Sequence, residues 1–304
     1  MLVVSLLAAT TAAFALTEGL KLQDSPIFRT KVDEIFSPVC DCEKSEATIR
    51  FHLRERDRVD LSIVDEDENV VRTVVRNEDE QAGRVEYGWD GRDDAGTVLP
   101  QGDYRPRVHL RRERWTIVMP NEIKIDVTPP VVQSARVRPR VFSPDGDRRR
   151  DGVVIPYRLS ERAKALLYVN GTKRVETLFA RERDEMTWGG RVDGRSVPPG
   201  SYVFNVRAKD PAGNLGPAMR LPTVTVRYVA LGRPRVVVLA GARFAIRVST
   251  DARRVRWTLG ARSGSARPGT LRLRAPRQDG RFTFTVSANG YTARAAVFVR
   301  EPAR

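Results

Sequence analysis

The stretch FSPDGD at residues 142–147 opens a frame that continues through WGG at 188–190 and closes with PPGSY at 198–202. An earlier part of the chain repeats this frame in the same order, as FSP at 36–38, WDG at 89–91 and PQGDY at 100–104. Each copy spans roughly a hundred residues, which is the length of a whole domain and too long for a solenoid unit. The repeat therefore predicts a duplicated domain.

Short runs of alternating apolar and polar residues fill both copies. The alternating apolar positions are Ala47, Ile49, Phe51 and Leu53 in the first copy, and Val153, Ile155, Tyr157 and Leu159 in the second. Period-two alternation is typical of half-buried antiparallel strands, and Asn170-Gly171 is a strong hairpin turn between two of them. Several short strands in about 95 residues predict a two-sheet sandwich, so the fold class is all-β.

Two prolines divide the copies, and a third region follows them. Thr128-Pro129-Pro130 is a rigid break, because proline cannot donate a ladder hydrogen bond. The predicted sandwiches are residues 36–130 and 131–229. Residues 230–304 alternate as well but lack the repeated frame, so we predict a smaller sandwich with Trp257 as its core anchor.

The frame resembles the immunoglobulin-like domain of the flagellar hook-capping protein FlgD. That family has an entry Phe-x-Pro, a Trp-Asp-Gly turn and a Pro-x-Gly-x-Tyr strand start. The matching positions are Phe36, Pro38, Trp89, Asp90, Gly91, Gly102 and Tyr104, and then Phe142, Pro144, Trp188, Gly190, Gly200 and Tyr202. Gly189 stands where the pattern has Asp. The resemblance implies tandem immunoglobulin-like β-sandwiches over 36–229, and it implies no specific activity, because such domains serve many roles.

The amino-terminal residues predict export. Residues 2–16 are apolar and uncharged, and Ala13-Phe14-Ala15 has the small-x-small form of a signal-peptide cleavage site. We therefore predict an apolar helix within 1–22 that acts either as a cleaved signal or as a membrane anchor; both interpretations stay open. Residues 23–35 are predicted to be a polar stalk, and the domains to be extracytoplasmic or secreted.

Positive charge is concentrated at the carboxyl-terminal end. The net charge is +15, with −6 in residues 36–130, +9 in 131–229 and +13 in 230–304, where 16 arginines face 3 acidic residues. A module this basic is attracted to polyanions. We expect an anionic cell-envelope polymer as its partner and no nucleic acid, because export separates the chain from nucleic acid. The alternative partner is an unidentified protein, such as a secreted or membrane enzyme that the chain assists.

A calcium site is one interpretation of the acidic turn in the second copy. Asp145, Asp147 and Asp151 occupy relative positions one, three and seven, and alternate carboxylates can converge on Ca²⁺. Position five is Arg149, however, and no glutamate follows where a bidentate ligand is expected. The alternative is an Asp/Gly turn whose carboxylates pair with the arginines at 148–150. No other cofactor is expected.

Cys40 and Cys42 are the only cysteines. Export favours their oxidation over metal binding. A local disulfide, an intermolecular bridge and free thiols all remain open, since a bridge between residues two apart closes a very small ring.

The sequence contains no recognisable catalytic motif. A nucleophile elbow, a glycine-rich phosphate loop and a His-Glu metal motif are all missing. His52 and His109 fall in predicted strands, and Trp89 and Trp188 are interpreted as core residues. We therefore predict a non-catalytic binding or spacer module.

Overall fold

The computed structural model describes residues 25–301, and over that range the protein is all-β with no helix. Nothing in this range is therefore a helix with the length and apolar character of a membrane span. The predicted apolar helix at 1–22 lies outside the described residues. The strands build three sandwiches, and each sandwich has a hydrophobic core of its own.

Nine strands form the first sandwich. They are β1 Ile27–Val32, β2 Ile35–Phe36, β3 Ala47–Leu53, β4 Asp57–Val64, β5 Val70–Glu80, β6 Gly83–Trp89, β7 Gly102–Leu110, β8 Trp115–Val118 and β9 Ile123–Ile125. One sheet has the order β1-β3-β6. The other has the order β2-β9-β7-β4-β5, with β8 also paired to β7. Buried alternate residues of β3, β4 and β7 fill the space between the sheets.

The first strand corrects the prediction of a stalk at 23–35. Within that range β1 pairs antiparallel with β3 and buries Ile27 and Val32, so it is part of the first sandwich. Its register shifts in the middle, where Arg29 has a φ of 51°. This irregularity interrupts the period-two alternation by which a strand is recognised from sequence.

Eleven strands form the second sandwich. They are β10 Val132–Ala135, β11 Val141–Phe142, β12 Val153–Val169, β13 Thr172–Glu176, β14 Arg181–Trp188, β15 Arg191–Val192, β16 Arg195–Ser196, β17 Gly200–Tyr202, β18 Phe204–Lys209, β19 Met219–Arg220 and β20 Val224–Val226. The longest, β12, pairs with β10 and β14 along its first part and with β13 and β18 along its last part. A second sheet has the order β11-β20-β17.

Eight strands form the third sandwich. They are β21 Ala230–Leu231, β22 Arg235–Leu239, β23 Arg243–Ser249, β24 Val255–Leu259, β25 Arg262–Ala266, β26 Gly269–Arg274, β27 Gly280–Ala288 and β28 Tyr291–Arg300. The sheet orders are β21-β23-β26 and β22-β28-β27-β24-β25. Phe284 and Val286 are fully buried at the centre of its core. Trp257, predicted as the core anchor, is only half-buried and packs at the margin of that core.

The described chain divides into two compact units. Residues up to Thr128, together with Pro211–Asn214, form the first unit. Pro129–Asp210 and the residues from Leu215 onward form the second unit, which therefore contains both the second and the third sandwich.

Residues of the repeated frame pack into one aromatic cluster in the first sandwich. The ring centroid of Trp89 lies 5.5 Å from that of Phe36 and 5.5 Å from that of Tyr104. Trp89 is 2% exposed, so it fills the core and does not present a binding face. The Tyr104 hydroxyl donates a hydrogen bond to the carbonyl oxygen of Pro100, at 2.9 Å. This bond ties the tyrosine of the frame to the backbone of the proline four residues before it.

The second copy repeats the cluster. The Trp188 ring lies 5.8 Å from Phe142 and 6.0 Å from Tyr202, and Trp188 is 5% exposed. The Tyr202 hydroxyl donates to the carbonyl oxygen of Pro198, at 2.7 Å. Pro198 is therefore the counterpart of Pro100.

Candidate functional site

The loop after β11 brings two of the three predicted carboxylates together. Asp145 and Asp147 lie side by side, and Asp151 does not join them. The Asp151 carboxylate instead accepts hydrogen bonds from the backbone N–H groups of Gly146, at 2.9 Å, and Arg148, at 2.6 Å. Asp151 thus fixes the shape of the loop from within.

A third carboxylate comes from the third sandwich. Asp251, in the loop between β23 and β24, places a carboxylate oxygen within 4.8 Å of oxygens of Asp145 and Asp147. The Asn289 side chain donates from Nδ2 to Oδ2 of Asp145, at 3.1 Å, and to Oδ2 of Asp147, at 3.0 Å. We call Asp145, Asp147 and Asp251 the carboxylate cluster. Asp251 carries no local motif, so sequence reasoning missed it.

Asp251 has a raised pKa. Both of its carboxylate oxygens are shielded from solvent, and the nearby Ser143 hydroxyl and the backbone N–H of Asp251 only partly offset the effect of burial on its pKa. Burial, together with the negative charges of Asp145 and Asp147, raises the pKa of Asp251 to about 6. Any cation or proton that enters the cluster relieves this repulsion.

The carboxylate cluster is where the described chain could hold a metal ion. Ca²⁺ takes about six to eight oxygen ligands, so three carboxylates would leave the rest to water or to backbone carbonyls. Arg149, Arg150 and Arg253 line the cleft around Asp251 and oppose a cation electrostatically.

The loop carboxylates do not form the predicted ion pairs with the arginines at 148–150 anywhere in the described structure. They accept backbone N–H groups of their own loop, as Asp147 does from Arg149 at 2.8 Å.

The two cysteines form a disulfide in the loop between β2 and β3. The bond joins Cys40 to Cys42, which is one of the three states that the sequence leaves open. Backbone hydrogen bonds from Cys40 to Ser37, at 3.2 Å, and from Ser45 to Cys42, at 3.3 Å, hold the same loop. With both sulfur atoms in the bond, this loop offers no thiolate to a metal.

Arginine covers the surface of the third sandwich. All fifteen of its described arginines are exposed, and none belongs to an ion pair within residues 230–301. By contrast, the first sandwich neutralises several of its arginines, as in the 2.9 Å ion pair between Arg111 and Asp60. Two arginines of the third sandwich, Arg235 and Arg281, lie 4.4 and 5.7 Å from the Phe298 ring. We call this array of exposed arginines the basic surface.

Comparison with known families identifies part of the first sandwich. Residues 41–113 match the family model of the FlgD Ig-like domain. The match confirms the resemblance that Trp89, Asp90, Gly91 and Tyr104 indicate. Domains of this family are typically non-catalytic, which favours a binding or spacer module. No curated protein sequence matches the chain.

Several solved structures of tandem domains are similar to the chain at low identity. The I67–I69 fragment of titin is 12% identical, with a TM-score of 0.31, and the alignment covers 92% of this chain and 100% of that one. Escherichia coli alpha-2-macroglobulin is 12% identical, with a TM-score of 0.29 and coverage of 90% and 24%. The Bacteroides ovatus SGBP-B, solved with a mixed-linkage heptasaccharide, is 14% identical, with a TM-score of 0.23 and coverage of 84% and 64%. Similarity at this level carries no functional argument.

Proposed function

We propose that the chain is an exported, non-catalytic surface protein, tethered or secreted, whose third sandwich binds anionic polymers of the cell envelope. The observation that supports this function is the basic surface. Its exposed guanidinium groups have no internal acidic partner among the described residues, so their charge is available to an external polyanion. The first two sandwiches act as spacers that carry the third.

The basic surface suits a polymer better than a single small anion. Arginines occur on both sheets of the third sandwich, for example Arg247 on β23 and Arg294 on β28. A long polyanion can contact several such positions at once, and each added contact multiplies the overall affinity. A guanidinium also forms paired hydrogen bonds with carboxylate or phosphate groups, which are the usual anionic groups of polymers.

Binding is tested with the full chain by electrophoresis in native gels that contain polygalacturonate, a carboxylated polysaccharide, or neutral dextran. We expect retardation by polygalacturonate at low salt and a progressive loss of retardation as salt screens the charges. Equal mobility in the two gels would refute polymer binding. If affinity purification of the full chain recovered one enzyme in stoichiometric amount, the alternative function, in which the chain assists that enzyme, would be favoured instead.

Export is tested by expressing the full chain in a bacterial host and fractionating the cells. The mass of the amino-terminal peptide identifies the form that is made. An intact Met1 in the membrane fraction indicates a tether, and a start at Leu16 outside the membrane indicates a cleaved signal. Retention of the intact chain in the cytoplasm would contradict export.

A further inference from the structure

One cleft in the third sandwich combines guanidinium groups with aromatic rings. Its lining includes Arg243 and Phe244 of β23, Trp257 of β24, Arg262 of β25, and Arg272 and Arg274 of β26. We call it the arginine–tryptophan cleft. It is open to solvent and has a volume of about 720 Å³, which lies within the range of small-ligand sites.

Like charges are crowded in this cleft. Arg243 lies directly opposite Arg274 in the antiparallel register of β23 and β26, and Arg272 lies opposite Ala245. Like charges in directly opposed positions destabilise a sheet. None of the described residues that line the cleft is acidic, and none of its arginines forms an ion pair within the described structure. A bound anion would offset this repulsion.

One guanidinium is already held in place. Arg262 donates a hydrogen bond from Nη1 to the backbone carbonyl oxygen of Arg274, at 2.9 Å. This bond keeps the guanidinium of Arg262 beside β26 and leaves its other N–H donors for a ligand. A planar fork of donors suits a carboxylate, which accepts two parallel hydrogen bonds from it.

The indole of Trp257 is positioned by a glycine on the next strand. Gly264 lies directly opposite Trp257 in the register of β24 and β25, and a Cβ atom on Gly264 would come within 2.8 Å of the ring. Because Gly264 has no side chain, the ring can lie against β25. Trp257 remains half-buried, so its indole is one of the two aromatic rings that line the cleft, with Phe244.

We propose that the arginine–tryptophan cleft binds an acidic sugar unit of a carboxylated polysaccharide. This inference rests on the proposed function and names its ligand. The apolar C–H groups of a sugar ring pack against the indole, while a carboxylate attached to that ring reaches the guanidinium groups of the same cleft. A polyphosphate has no ring for Trp257, whereas single-stranded nucleic acid also stacks its bases on aromatic rings and is therefore a comparison ligand in the test.

The test is calorimetric titration of the full chain with oligogalacturonates, with neutral galactan, polyphosphate and single-stranded DNA as comparison ligands. The cleft variant is Arg243→Gln/Arg272→Gln. The matched control is Arg294→Gln/Arg300→Gln, which removes the same charge from exposed positions of β28 outside the cleft. A third variant, Trp257→Phe, keeps an aromatic ring at the core margin but loses the indole surface.

We expect oligogalacturonates to bind the cleft variant about tenfold more weakly, or worse, because hydrogen bonds to charged groups are lost, and the control to stay within about threefold of the original chain. Trp257→Phe should weaken oligogalacturonate binding and leave any attraction to polyphosphate unchanged. Equal losses in the cleft and control variants would overturn the inference but leave the proposed function standing. Binding of polyphosphate in preference to the glycan would also overturn the inference alone, whereas a preference for DNA, or no binding of any polyanion, would refute both.

Discussion

Gly190 lies so close to Phe142 that a Cβ atom on Gly190 would come within 2.6 Å of the phenyl ring. The φ angle of Gly190 is 61°, in the left-handed region that side chains disfavour. The first copy has the same arrangement, in which Gly91, with a φ of 69°, approaches Phe36 and Pro38. The Trp-x-Gly turn and the entry Phe-Ser-Pro thus depend on each other, which explains why they recur together.

The first prediction follows from this contact. Gly190→Ala should lower the free energy of unfolding of the second unit by about 1–3 kcal/mol, because it adds both backbone strain and overpacking. Gly189→Ala is the matched control, since its Cβ atom would meet nothing within 4 Å and its backbone is not left-handed. Denaturant unfolding followed by tryptophan fluorescence measures both variants. Equal stability of the two variants would show that the close approach is not required.

The second prediction concerns pH. The pKa of Asp251 is about 6 in the folded chain and near 3.8 when unfolded. At pH values between these two, the Asp251 carboxyl group is therefore protonated mainly in the folded chain and ionised in the unfolded chain. The contribution of Asp251 to stability therefore falls as pH rises from about 4 to about 6. Asp251→Asn removes the titration and should make the second unit more stable than the original chain above pH 6.

Unfolding midpoints at pH 4, 5, 6 and 7 check this, with the exposed Asp279→Asn as the control. A midpoint for Asp251→Asn that fell with pH as steeply as that of the original chain would contradict the assignment.

Millimolar CaCl₂ added at pH 7 tests whether the carboxylate cluster is a calcium site or only a group of mutually repelling carboxylates. If Ca²⁺ binds there, it stabilises the original chain and not Asp251→Asn; if only repulsion is present, neither responds.

The third prediction concerns the disulfide. Protein purified from an oxidising compartment should take up no iodoacetamide at Cys40 or Cys42 when unfolded without reductant, and two labels after reduction. Mass spectrometry of the intact chain reads both states. Labelling before reduction would indicate free thiols, and a doubled mass before reduction would indicate an intermolecular bridge.

The sequence predicts the sandwiches because their framework is local. Trp89 and Tyr104 lie close together in the sequence, in strands whose alternation is regular, and the structure places them in one cluster. The match of residues 41–113 to the FlgD Ig-like domain confirms the family resemblance of the same region.

What the sequence did not predict depends on irregular or distant contacts. β1 escapes recognition because its register shift at Arg29 breaks the alternation. Asp251 reaches Asp145 from a different sandwich, and nothing in its neighbouring residues indicates that contact. Trp257 occupies an inward position of an alternating strand, but Gly264 on the next strand determines how its ring lies.

The fourth prediction tests the central claim, that the third sandwich carries the polymer-binding charge. The full chain is bound to immobilised polygalacturonate and eluted with increasing salt. Two fourfold Arg→Gln variants are compared at exposed positions: Arg247, Arg256, Arg277 and Arg294 in the third sandwich, and Arg174, Arg183, Arg195 and Arg220 in the second. Both sets lose the same formal charge, and none of these residues lines the arginine–tryptophan cleft.

The elution position decides between a local binding surface and general attraction. We predict that the third-sandwich variant elutes at clearly lower salt, because fewer arginines of the basic surface remain to contact the polymer. The second-sandwich variant should elute close to the original chain. Elution of both variants together, or earlier elution of the second-sandwich variant, would contradict the proposed function.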